Sequence, residues 1–140
     1  MKENKFRAWN SKEKFMDSAW LIDWEHGIVC HGKHNQSELE DCTLMQYTGL
    51  KDKNSVEIYE GDIESDENSN LSVVCYLEKY GAYCFVPLEL YVHEDYENRV
   101  TYSFGYDCYF HNAIPSKYAT VIGNIYENPA LLEESHNESK

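Results

Sequence analysis

The stretch LSVVCYLEKYGAYCFVPLELYV, residues 71–92, constrains the fold more than any other. Leu71, Val73, Cys75 and Leu77 alternate with Ser72, Val74, Tyr76 and Glu78, the two-residue period of a strand with one buried face. Tyr80-Gly81-Ala82 allows a turn, and Cys84, Val86, Leu88 and Leu90 supply the face of a returning strand. The pair reads as a β-hairpin.

The same logic extends along the chain. Phe6 and Ala8 alternate with Arg7 and Trp9 up to an Asn10-Ser11 turn. Phe15 to Trp24 fits either a strand or a short helix, and aromatic content favours the strand. Ser37 with Glu40 forms a capping-box pattern for a turn or two of helix. In MQYTGLKDKNSVEIYEGDI, residues 45–63, the polar run Asp52-Lys53-Asn54-Ser55 separates two extended flanks. Gly61 frees the backbone for a corner, Asp62 can bond nearby amides, and Ile63 restarts a buried face. Residues 64–70, ESDENSN, read as a solvated acidic loop, and HEDYENR as another. VTYSFGYDCYF alternates large and small residues as a strand would, and KYATVIGNIYE reads as a last strand bent at Gly123. Asn128 is placed to cap a final turn with Pro129 at its first helical position. Short strands at regular spacing point to a small barrel or sandwich.

The net charge is −13, which opposes contact with nucleic acid phosphates. The charge is uneven. Residues 1–14 carry Lys2, Lys5, Arg7, Lys12 and Lys14 against two acidic side chains, while the remainder carries seven basic and 23 acidic ones. That basic head, with Phe6, Trp9 and Phe15, reads first as a packed strand and second as a strip for phosphates. Residues 2–14 are charged throughout, so no export signal is expected, and the five scattered cysteines are expected as thiols in a cytoplasm. No apolar run approaches the roughly 20 residues that span a bilayer.

Sites of known chemistry are hard to find. Cys30, His31, His34 and Cys42 are zinc-type ligands at the wrong spacing and read as structural. Asp62, Glu64 and Asp66 alternate as in a calcium loop, but Glu67 and Val73 stand where such a loop needs Gly and Glu. There is no GxSxG, and Cys75 and Cys84 read as small core residues. Cys108 with His111 is a weak nucleophile–base pair. No glycine-rich phosphate loop is present. Tyr76, Tyr80, Tyr83, Tyr91, Tyr96, Tyr102, Tyr106 and Tyr109 crowd the second half, more than a small core can bury with their hydroxyls partnered.

KFRAW near the start, LMQYTGLKDKNSVEIYEGDI in the middle and VIGNIYENPALL at the end, in this order, resemble the YopX family of bacteriophages and Gram-positive prophages. The resemblance implies a mainly β protein. It implies a smaller N-terminal β-rich subdomain (residues 1–48), a C-terminal SH3-like barrel (49–129) and homo-oligomers; residues 130–140 are expected as an acidic frayed tail. It implies no activity. The family usually has Gly where this chain has Ser55, so a longer turn or bulge is expected there.

The expectation is a non-enzymatic, self-associating cytoplasmic protein that binds a host or phage protein. It needs no cofactor or metal, enters no membrane and makes no direct nucleic-acid contact. The candidate interaction surface is Tyr59, Glu60, Asp62, Glu64, Asp66, Glu67, Tyr91 and Tyr96. One alternative is an acidic mimic of nucleic acid that occupies a basic host protein. Another is nucleic-acid binding through the N-terminal basic strip.

Overall fold

The computed structural model describes residues 4–133, which fall into two compact units divided between Gly49 and Leu50. Lys2 of the basic head and residues 134–140 of the tail lie outside the described residues.

The first unit is built from β1 (Phe6–Asn10), β2 (Phe15–Asp23), β3 (Ile28–His31), β4 (Asn35–Glu38), a 3-10 turn (Leu39–Asp41) and β5 (Cys42–Lys51). The strands run in the order β4-β3-β2-β1-β5, antiparallel throughout. Residues 15–23 are a strand, because β1 and β3 pair with their backbone on either side, and a helix would forfeit both ladders. The register slips between Ala19 and Leu21, a bulge, and so Trp20 and Leu21 are both exposed although they are consecutive. The β1–β2 turn is held by Asn10, whose Oδ1 accepts the Lys12 and Glu13 N–H groups at 3.0 and 2.9 Å. The helical turn expected after Ser37 is present only as the 3-10 turn, and Ser37 does not cap it: its hydroxyl is engaged elsewhere.

The second unit holds β6 (Glu57–Tyr59), β7 (Asp62–Ser65), β8 (Leu71–Leu77), β9 (Ala82–Pro87), α1 (Leu88–Tyr91), α2 (Tyr96–Phe104), α3 (Phe110–Ala113), α4 (Pro115–Tyr118) and β10 (Thr120–Asn124). Its sheet runs β10-β7-β8-β9. The β8–β9 hairpin sets Cys75 against Cys84 and Val73 against Val86. One core gathers Ile63, Val73, Leu77, Val86, Leu88 and Val100; another gathers Ile58, Val74, Phe85, Phe110 and Ala119. Both faces of β8 therefore carry buried residues, Val74 among them, which its alternation did not foretell, although Tyr76 stays exposed.

The mainly β class holds, in two antiparallel sheets. The barrel expected over 49–129 does not close: β7 to β10 form an open sheet, and helices occupy the chain between β9 and β10. Leu88 and Leu90 leave the ladder, since Pro87 offers no N–H to continue it and α1 starts directly after. VTYSFGYDCYF is a second correction, for it is helical through Phe104. Tyr96, Val100 and Phe104 recur every four residues, Val100 is fully buried, and Arg99 Nε meets Asp95 Oδ1 at 2.6 Å one turn away. The large–small alternation there was a coincidence of composition, and Tyr102 stands 94% exposed.

Turns follow the side chains that hold them. Asp52 N–H donates to Val56 O at 2.8 Å, so residues 53–55 form a longer turn, and Ser55 still takes a φ of +65°. Asp52 Oδ1 accepts the Asn54 and Val56 N–H groups at 2.8 and 2.9 Å, and its Oδ2 accepts Val121 N–H of β10 at 2.8 Å. At the 60–62 corner Gly61 adopts a φ of +83°, and Asp62 Oδ2 accepts Tyr59 N–H at 2.8 Å. β10 is bulged between Val121 and Gly123. Leu131 N–H bonds Asn128 O at 3.1 Å, opening a helical turn, but Asn128 Oδ1 accepts Asn124 N–H instead of capping it.

Candidate functional site

A cavity of about 570 Å³ lies in the second unit. β7 and β8 contribute Glu64 and the cross-strand neighbour it faces, Ser72. β9 contributes Phe85, whose ring stacks on Phe110 at 4.5 Å. α1 brings Leu88 and Glu89, the end of α2 brings Phe104, and the turn beyond it brings Asp107 and Cys108. Tyr118, Ala119 and Leu131 complete the apolar side. The remaining side comes from residues 66–70. Asp66 holds that loop itself: its Oδ1 accepts the Asn68 and Asn70 N–H groups at 2.8 and 2.9 Å, and its Oδ2 accepts from Asn70 Nδ2 at 3.1 Å.

Glu64, Asp66, Glu89 and Asp107 face this space, and among the described residues its lining includes no Lys, Arg or His. Glu64 is the distinctive member. It is 4% exposed, and burial pushes its carboxyl up to about 7; the Ser72 hydroxyl pulls the other way and the Asp66 charge adds to the rise. A cation brought into the cavity would restore to Glu64 the charge stabilisation that burial removes. Apolar walls around a negative focus suit a ligand with a hydrocarbon stem and a positive head.

The expected surface is redistributed by the fold. Of its members only Glu67 is exposed. Glu64 and Asp66 line the cavity, Asp62 is buried at its corner, and Tyr59 and Glu60 are half-buried. Tyr91 and Tyr96 lie with ring centroids 5.3 Å apart and pack on the first core; burial pushes the Tyr91 hydroxyl up to about 12, and that of Tyr96 upward too. Asp62, Glu64 and Asp66 serve three separate ends, and among the described residues no group of three His, Cys, Asp or Glu side chains could hold a metal ion. Of the described N-terminal basic residues, Lys5 lies 5.4 Å over the Tyr47 ring and Arg7 is half-buried, while Lys12 and Lys14 are exposed.

The sequence reading missed a polar network in the first unit. His31 Nδ1 lies 2.8 Å from Asp17 Oδ2, and His31 Nε2 lies 2.8 Å from Ser37 Oγ. The order of groups is that of a serine-hydrolase triad. Asn10 Nδ2 also donates to Ser37 Oγ at 3.1 Å, and the His31 side chain is 5% exposed. Four strands thus each contribute one polar group, and both imidazole nitrogens are engaged. The chain of contacts runs from Asp17 through the His31 ring to the Ser37 hydroxyl, whose oxygen accepts from Asn10 Nδ2. The arrangement joins the ends of β1, β2, β3 and β4. Gly32 leaves it room, since a Cβ there would come 3.0 Å from Asp17 Oδ2.

Comparison with known proteins adds the family. The family model described as YopX protein matches residues 5–133. The crystal structure of protein EF1440 from Enterococcus faecalis is similar at 25% identity, covering 94% of this chain and 99% of that one with a TM-score of 0.56. No curated protein matches the chain. No helix among the described residues is long and apolar enough to cross a membrane.

Proposed function

The chain belongs to the YopX protein family, and we propose that it serves there as a non-catalytic binding module whose cavity receives a basic, partly apolar segment of a partner protein. In this reading it is a phage or prophage product acting in the host cytoplasm, as the family resemblance implies. The observation that carries it is Glu64, a carboxyl nine-tenths buried that faces a cavity with acidic and apolar lining. A Lys or Arg side chain has the matching form, an apolar stem carrying a cation. The reading absorbs the acidic-mimic alternative in part, because the partner is basic, but places recognition in one cavity rather than over the whole surface.

The test is a calorimetric and NMR titration with two peptides that share apolar residues, one carrying Lys and Arg and the other Gln in their place. Binding of the basic peptide with shifts at Ser72, Phe85 and Cys108, weakened about tenfold by Glu64→Gln and by rising salt, supports the reading. Equal binding of both peptides, or shifts elsewhere, contradicts it.

Self-association is a second reading, favoured by Trp20 and Trp24, which are 62% and 71% exposed in the first unit. Light scattering of the wild type against Trp20→Ser/Trp24→Ser checks it. A monomeric wild type rules it out.

A further inference from the structure

Five cysteines are free, and two of them touch. Cys84 is fully buried at the centre of β9, and Cys108 is half-buried in the cavity wall. The backbone holds them together. Phe85 N–H donates to Cys108 O at 2.8 Å, and Cys84 pairs with Tyr109 in an isolated antiparallel bridge. Their thiols lie within hydrogen-bonding reach of each other.

We propose that Cys108 and Cys84 form a peroxide-responsive dithiol, with Cys108 attacked first from the cavity and Cys84 resolving it to a disulfide. The Cys108 thiolate attacks one oxygen of hydrogen peroxide. A sulfur–oxygen bond forms, the oxygen–oxygen bond breaks and hydroxide leaves, giving the sulfenic acid. The Cys84 sulfur then attacks the Cys108 sulfur and the sulfenic oxygen leaves as water. Two thiols are oxidised by two electrons, and one peroxide is reduced to two waters.

The order of attack follows from exposure and from the pair itself. Peroxide reaches Cys108 through the cavity, whereas Cys84 has no exposed surface. The hydrogen bond from Cys84 holds the Cys108 thiol below its ordinary value and pushes Cys84 above its own. Cys75 is the competing partner, since it stands directly opposite Cys84 in the register. Its thiol is pushed up to about 12 by burial, and it is hydrogen-bonded to Tyr96. Closing the bond withdraws the Cys108 sulfur from the cavity wall.

The reduced full chain, treated with one equivalent of hydrogen peroxide, is blocked with N-ethylmaleimide under native conditions and mapped by mass spectrometry. A Cys84–Cys108 disulfide is expected, formed ~10-fold faster than oxidation of half-buried Cys42. In Cys108→Ser the disulfide is lost and Cys84 stays reduced. In Cys84→Ser, Cys108 accumulates as a sulfenic acid trapped by dimedone. The wild-type map does not depend on either variant folding. A Cys75–Cys84 disulfide, or oxidation of Cys108 no faster than that of Cys42, overturns the proposal.

Discussion

Two buried carboxylates of the second unit stand in opposite circumstances. Asp52, in the turn after β5, accepts three backbone N–H groups and ties residues 54 and 56 to β10. Glu64, two strands on, faces the cavity with the Ser72 hydroxyl as its partner. Both are almost entirely buried. Burial alone therefore does not distinguish a structural polar group from a receptive one. What distinguishes them is whether the fold already supplies the donors that the charge requires. The Asn10–Ser37–His31–Asp17 chain of the first unit belongs with Asp52, because its members satisfy one another.

Removing the carboxylates should therefore have effects of opposite sign. Asp52→Ala strands the Asn54, Val56 and Val121 N–H groups, and chemical denaturation should show a loss of about 3 kcal/mol or more. Glu64→Gln should instead gain on the order of 2 kcal/mol at pH 8. The sign follows from linkage. Glu64 has a folded value of about 7 against an ordinary 4.5, so the folded state keeps its proton while the unfolded state loses it. Wild-type stability thus falls from about pH 4.5 to about pH 7 and then levels, relative to the Gln variant. Denaturation of both proteins at pH 4 and pH 8 measures the difference. A variant no more stable at pH 8 than at pH 4, relative to wild type, would remove the contrast with Asp52.

Binding sharpens the same comparison. Affinity for the basic peptide should rise several-fold as the pH passes from 6 to 8 and Glu64 ionises, and Glu64→Gln should flatten that rise. Calorimetry across this range reads it directly. Ser37→Ala should cost about 1 kcal/mol by leaving His31 and Asn10 each short of a partner. A fluorophosphonate should leave Ser37 unlabelled if its hydroxyl serves the network alone; labelling would make the first unit a catalytic centre. The smallest effect concerns the 53–55 turn. Ser55→Gly relieves a positive φ and should stabilise by under about 1 kcal/mol in thermal denaturation.

Much of the sheet structure was legible because strands advertise themselves with a period of two. The β8–β9 hairpin, the Gly61–Asp62 corner and the bend at Gly123 could each be argued from neighbouring residues. Helix α2 could not, because large and small residues happened to alternate across it; only the Tyr96–Val100–Phe104 spacing carried the true period. Glu64 and Asp66 were named from the acidic run, but as a solvated loop. The pairing of β7 with β8 and the arrival of Phe104, Cys108 and Tyr118 are what place Glu64 inside a cavity. His31, Ser37, Asp17 and Asn10 lie on four strands, and their meeting depends on registers that no single segment specifies.

The most direct test is a carbon-detected NMR titration of the Glu64 side-chain carboxyl, alone and with the basic peptide. The account predicts a midpoint near 7 for the free protein, falling toward 4.5 once a cation occupies the cavity. A free midpoint already near 4.5, or one that the bound peptide leaves unmoved, would contradict it.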